Sequence, residues 1–339
     1  MWIPPAVGIA AWGLILWITP QPERPKPEPV KTGLAHVQPI GSIIELVDLA
    51  PVHGIVKDLI WIEPWLYVAR SLNGLELYRW EIGNSIQMEQ AWTDGEFNPI
   101  SMEYDGVYLY TADRFRGLTT LELQTTMRPK LLHEEQVPGI ATAVRLREGK
   151  LLLAHGGGGV SLFGLQNPAH PKLETRFSIV DYSKQADWAG EHLYLADGRD
   201  GGMRVFHYTG DQLHPLRNFT TSSYCDDAVV QGSFLFNQNR ELGVIIYDLT
   251  DPANPQSISQ VYKPDDASMA MQIHGDWLLV LYHKAGLALY DIRDRQNPQL
   301  IESAAFGRRA QTMIWEGDSV FVSDHDAGIA VYRIHLPDQ

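Results

Sequence analysis

Apolar runs of about five residues recur along the chain, each bounded by a turn rich in glycine, aspartate, asparagine or proline. One run in each recurrence ends in a polar turn closed by glycine: "LYVARSLNG" at Gly74, "LYTADRFRG" at Gly117, "LLLAHGGGG" at Gly159, "LYLADGRDG" at Gly201, "FLFNQNRELG" at Gly243, "LLVLYHKAG" at Gly286 and "VFVSDHDAG" at Gly328. The spacings are 43, 42, 42, 42, 43 and 42 residues. A fixed period of this length is the signature of a structural repeat. A second apolar run follows each glycine, as in "LALYDI". Then come a proline-marked turn such as "DPANPQ", a third run such as "LIESAAF", a polar loop and a fourth run such as "MAMQIHG". Gly275-Asp276 and its counterparts lie between apolar runs and predict tight hairpins. No stretch after Pro20 has the length and 3.6-residue period of a helix.

Four short strands per repeat predict an all-β fold, a seven-bladed β-propeller. Only eleven residues follow Gly328, enough for one more strand, "IAVYRI". Stepping back one period from Gly74 and forward to the next expected strand lands on "IIELVD", Ile43 to Asp48. This N-terminal strand is therefore expected to complete the last blade and remove the exposed edges of an open sheet. The expected organisation is an anchor over residues 1–19, a proline-rich linker over 20–40 and a propeller over 41–336.

"LYLADG" followed by glycine, and "YDLTDPANPQ" at Tyr247 to Gln256, resemble the LVIVD repeat family of bacterial and archaeal β-propellers. The resemblance covers roughly Ile43 to Ile334 and is weakest in the first two repeats, where "RWEIGNSIQME" lacks the Asp-Pro turn. It implies a propeller on an exported or surface protein. It implies no reaction.

The net charge of −14 argues against nucleic acid as a partner, because such binding needs a basic footprint. The lone cysteine, Cys225, excludes an intrachain disulfide and reads as an inert buried thiol. "MWIPPAVGIAAWGLILWI", Met1 to Ile18, carries no charged side chain and is just long enough to span a bilayer as a helix. It has neither the basic n-region nor the A-x-A site of a cleaved signal, so an uncleaved anchor is expected. Five prolines in "PQPERPKPEPVK" make a stiff spacer. Arg24, Lys26 and Lys31 follow the span, which by the charge rule alone places the propeller in the cytoplasm. The family resemblance implies a periplasmic or extracellular propeller, and that location is the expectation adopted.

Motifs suggestive of catalysis fall on turns. "HGGGG" resembles an esterase oxyanion loop, yet the chain has no G-x-S-x-G elbow. "GDSV" occupies the hairpin position of Gly275-Asp276. "DHDAG" alternates acids as a calcium loop does, but the first acid is Arg70, His155 or Asn239 in other repeats, so no metal and no cofactor are expected.

In a propeller, the turns between second and third strands share a face with the loops leading into each next blade. The first set contributes Arg70, Asp113, His155, Asp197, Asn239, His283, Asp324 and His325. The second contributes Tyr182, Lys184, Tyr224, Asp226, Asp227, Asp265, Asp266, Arg308 and Arg309. These are the candidate binding residues, and no catalytic residue is assigned. The expected function is a membrane-tethered, non-catalytic interaction module that presents this face to a protein or surface glycan. The alternative is a hydrolase or lyase with its site at the mouth of the channel.

Overall fold

The computed structural model describes residues 42–336, apart from 53, 94–95, 124–128, 180–181, 199–201 and 307–308. The proposed anchor and the proline-rich linker lie outside these residues. Among the described residues no helix is long and apolar enough to cross a membrane.

The chain forms seven four-stranded antiparallel sheets, the blades of a β-propeller. Blades 1 to 6 start with the inner strands Asp58–Ile62, Pro99–Tyr104, Ala143–Arg147, Ser183–Ala189, Cys225–Gln231 and Ser268–His274, and each uses the next three strands in sequence. Blade 7 takes three strands from the C-terminus, starting at Ala310–Glu316, and its fourth from Ile44–Ala50. That N-terminal strand pairs antiparallel with Gly328–Ile334, Ile44 facing Ile334 and Ala50 facing Ile329. The ring is therefore closed by the two ends of the repeat region, in the manner the spacing predicts.

Burial follows position within each blade. Second strands such as Trp277–Tyr282 and Ser319–Asp324 are buried along their whole length, because both faces of the blade pack on neighbouring blades. Their sequences read as unbroken apolar runs for that reason. Outer strands such as Leu213–Thr220 are largely exposed. The inner strands alternate. Leu59, Met102, Val144, Ala186, Ala228, Met271 and Met313 form a buried ring, one residue per blade, and the positions on either side are mostly polar or charged.

The repeated glycine has a packing reason. A Cβ at Gly243 would lie 2.1 Å from the carbonyl oxygen of Val261, and its φ is +73°. The same carbonyl approach occurs at Gly328, 2.0 Å from that of Ala50 in the closing strand. In blade 4 the residue in this position is Gly202, 1.8 Å from the carbonyl of Phe219, and not Gly201, which lies outside the described residues. The turn after Asp197 is one residue longer than its counterparts, so the fixed period lands one residue early.

Candidate functional site

The inner strands enclose a channel, a cavity of about 770 Å³. Its wall includes Lys57, Asp58, Glu103, Arg145, Lys184, Asp226, Asp227, Arg240, Gln272, Arg309, Glu316 and His325. Most of these project from alternate inner-strand positions or from the loops just before those strands.

Many channel side chains close a backbone deficit. The inner strand is the free edge of its blade, and its outward N–H groups need acceptors. Side chains of the preceding blade supply them. Asp58 Oδ2 accepts from Met102 N at 2.7 Å, Ser101 Oγ from Val144 N at 3.3 Å and Asp187 Oδ2 from Val230 N at 2.8 Å. Gln272 Oε1 accepts from Trp315 N at 3.1 Å, and Gln311 Oε1 accepts from Val56 N at 2.7 Å across the closure.

An ionic cluster lies on the wall of blades 3 to 5. Arg145 reaches Asp227 at 2.9 Å and Asp187 at 3.3 Å, and donates to the carbonyl of Ala228 at 2.9 Å. Arg147 donates to both oxygens of Asp187 at 3.1 and 2.8 Å. Burial opposes the charge on Arg145, but the carboxylates of Asp227, Asp187 and Glu103 outweigh it and raise its pKa. Burial is also the largest influence on Asp58 and Glu103, and pushes each carboxyl up to about 7.

This makes stability pH-dependent. Asp58 and Glu103 keep their protons in the folded state at pH values where the unfolded chain has released them. Their contribution is complete below the ordinary carboxyl range and is lost as pH rises through about 7. Urea unfolding between pH 5 and 7 should show stability falling, with a slope of up to about 1.4 kcal/mol per pH unit for each group. The Asp58→Asn/Glu103→Gln double variant should be flatter over that range; an unchanged slope would reject the assignment.

The candidates from the turns are mostly committed to backbone. Asp113, fully buried, accepts from Phe115 N and Arg116 N at 2.9 and 2.8 Å and from Asn98 N at 2.5 Å. Asp324 does the same for Asp326 N, Ala327 N and Arg309 N. In blade 6 the residue in this position is Tyr282, with His283 one place further on, and Asp266 from the loop before the blade accepts from Lys284 N and Ala285 N instead. Asp197 pairs with Arg204 at 2.9 Å, and Arg70 with Glu76 at 2.7 Å. His155 is buried against Ser161 Oγ at 2.9 Å, and burial pushes its pKa down to about 4. Asn239 is buried on Asn237 and Thr221. His283 faces the carbonyl of Ala310 at 3.2 Å. Asp265 is exposed, with φ +60°. These contacts explain the residues as turn chemistry.

Five of the candidates converge on the channel wall: Lys184, Asp226, Asp227, Arg309 and His325. Asp226 is paired with Arg240 at 2.6 Å, whose guanidinium lies 5.0 Å from the Tyr224 ring centre. His325 and Arg309 share Asp326, at 2.9 and 3.5 Å. Tyr182 and Tyr224 are exposed at the rim. Arg308 lies outside the described residues. Lys57, Asp58, Glu103, Arg145, Arg147 and Asp187 were missed by reasoning from turns. Their signal is the polar alternation around the buried ring of the inner strands.

The tempting motifs are structural. Ser319 of "GDSV" opens a strand, with Gly317 at φ +58° in the hairpin before it. Burial pushes the Cys225 thiol well up, and Asn237 Nδ2 donates to its sulfur at 2.8 Å. Among the described residues no group of three or more His, Cys, Asp or Glu is placed to hold a metal ion.

No protein-family model matches the chain, and no curated protein matches it in sequence. Solved propellers match it in shape. The WD40 β-propeller domain of Doa1 has a TM-score of 0.68 at 8% identity, covering 85% of this chain and 96% of that one. The Cps50 (Swd1) β-propeller domain of Myceliophteria thermophila gives 0.66 at 11% identity, covering 86% and 100%. YCF48 bound to D1 peptide gives 0.63 at 11% identity, covering 87% and 96%. At these identities the likeness establishes the fold.

Proposed function

We propose that this chain is a non-catalytic interaction module of LVIVD-repeat type, tethered to a membrane by residues 1–19 and displaying its propeller in the periplasm or outside the cell. The face bearing the second-to-third-strand turns and the inter-blade loops docks a protein partner. One observation carries this reading. Phe115, Tyr182, Tyr224 and Tyr262 are the exposed large aromatics among the described residues, and all four lie on that face. Ile55, Leu72 and Ile140 join them there, whereas the opposite face exposes Ile82, Val107 and Leu336. Exposed aromatics gathered on loops over a rigid scaffold are the usual anchors of an interface. YCF48, a propeller of similar shape, takes a peptide, which supports a protein partner over a glycan. Asp58, Glu103, Asp226 and Asp227 of the channel wall have backbone or ionic partners, so the hydrolase or lyase reading draws less support from the geometry.

Photo-crosslinking amino acids placed at Tyr182, Tyr224 and Tyr262 should yield protein adducts in the native host, and the same label at Ile82 or Val107 should yield few. Equal adduct formation from both faces would reject the proposal.

A further inference from the structure

Three cations lie on this face without an ion pair among the described residues: Lys57 before the inner strand of blade 1 and Lys184 at the start of blade 4, and, near enough to act on Lys57, Arg114 in a turn of blade 2. Other cations near the mouth are neutralised, Arg240 by Asp226 and Arg309 by Asp326. Lys57 and Lys184 both line the cavity, although their blades are not neighbours, so the pair brackets the opening. Burial lowers the pKa of Lys57, and the charges of Lys184 and Arg114 lower it further. In a chain with a net charge of −14, an unpaired cluster of like charge is a feature that calls for an anion.

Aromatic surface adjoins these charges. Phe115 follows Arg114 and is exposed. Tyr182 and Lys184 flank the same glycine, each with an atom within 3.5 Å of where a Cβ on Gly198 would stand. Along the inner strands beyond them, Arg145 is paired with Asp227 and Asp187, and burial pushes the Asp58 and Glu103 carboxyls up to about 7. The unpaired positive charge therefore lies at the mouth, and an anion is drawn there.

We propose that the mouth binds an acidic peptide segment of the partner, its carboxylates held by Lys57, Arg114 and Lys184 and its aromatic or apolar side chains laid on Phe115 and Tyr182. This rests on the assignment of the docking face made above and adds the chemistry of the partner. A flat bilayer surface suits the site less well, because Lys57 and Lys184 line a concavity. A narrow extended chain reaches into it.

The probe is a fluorescent glutamate–tyrosine copolymer, with polyglutamate and phosphatidylserine vesicles for comparison, binding to the full-length protein being measured by anisotropy and by vesicle co-sedimentation. The copolymer should bind more tightly than polyglutamate, and weaken as salt is raised. Lys57→Glu/Lys184→Glu, checked for an unchanged melting temperature, should weaken it by about tenfold or more. Lys172→Glu, an exposed cation on the opposite face, should leave it unchanged. Equal binding by the double variant, equal affinity for polyglutamate or a preference for vesicles would each overturn the proposal. Its failure is separable from failure of the face assignment: crosslinks confined to the first face, without copolymer binding, would keep the docking face and discard the acidic partner.

Discussion

Removing residues 1–50 should leave a protein that aggregates, while removing residues 1–40 should leave the melting temperature of the propeller unchanged. The difference is one strand. Ile44–Ala50 supplies the outer strand of blade 7 and pairs along Ile329–Ile334. Without it the third strand of that blade becomes an unpaired edge beside Ile329, Val331 and Ile334, all buried in the closed ring. Two further contacts depend on the same segment. Glu302 of blade 6 accepts from Ile43 N at 2.7 Å and is also bonded by the Ser42 hydroxyl. Val52 and Val56, on the link into blade 1, share a buried cluster with Phe321 and Trp80. A ring held shut by one strand loses the joint between its first and last blades together with that strand. Size-exclusion chromatography and thermal melts of the two truncations decide the matter. Equal melting temperatures would mean that blade 7 is stable with three strands and that the ring is not held closed by its N-terminus.

The repeat and its closure were legible because both are written in spacing. The glycine that recurs is forced by a carbonyl that approaches to within about 2 Å of the absent Cβ, for example Val261 over Gly243. Such a constraint leaves one residue type and a countable period. The period misplaced blade 4 by one residue, since a turn absorbs an insertion without disturbing the sheet. The binding residues were less legible. Asp113, Asp197 and Asp324 look chemical in sequence, but their carboxylates are used by backbone N–H groups or by Arg204. The use of a carboxylate by its own turn is a local matter, visible in hindsight as Asp followed by glycine four or five residues on. The cations of the mouth are another case. Lys57 and Lys184 hold the same place three repeats apart, each two residues before the buried ring residue of its inner strand, Leu59 or Ala186. Other repeats put uncharged or acidic residues there, such as Thr142 and Asp226, and Arg114 comes from a turn, so only the closed ring brings the three to one face. Their neighbours Phe115 and Tyr182 are equally ordinary in sequence, and their exposure is a property of the assembled face.

Arg145→Met should destabilise the propeller by about 3–5 kcal/mol, one of the largest effects expected of a single substitution here. The side chain leaves blade 3 and ends on blade 5, at Asp227 and the carbonyl of Ala228, touching Asp187 of blade 4 on the way. Methionine fills much of its volume but leaves Asp227 without its cation. Burial already raises the pKa of Asp227, and Arg145 is the main influence holding it down. Asp187 keeps Arg147, which limits the damage to one carboxylate and part of another. Two consequences separate this account from a simple loss of packing. The defect should shrink as pH is lowered, because protonating Asp227 removes the unpaired charge. The Arg145→Met/Asp227→Asn double variant should recover a substantial part of the loss at neutral pH. Arg145→Lys should fall between wild type and the methionine variant: it keeps a charge but not the fork that serves Asp227, Asp187 and a carbonyl together. Urea unfolding of the four proteins at pH 5 and pH 8 makes the comparison. If the methionine variant is as defective at pH 5 as at pH 8, and the added asparagine restores nothing, Arg145 acts by packing alone and the ionic link between blades 3, 4 and 5 has no energetic weight.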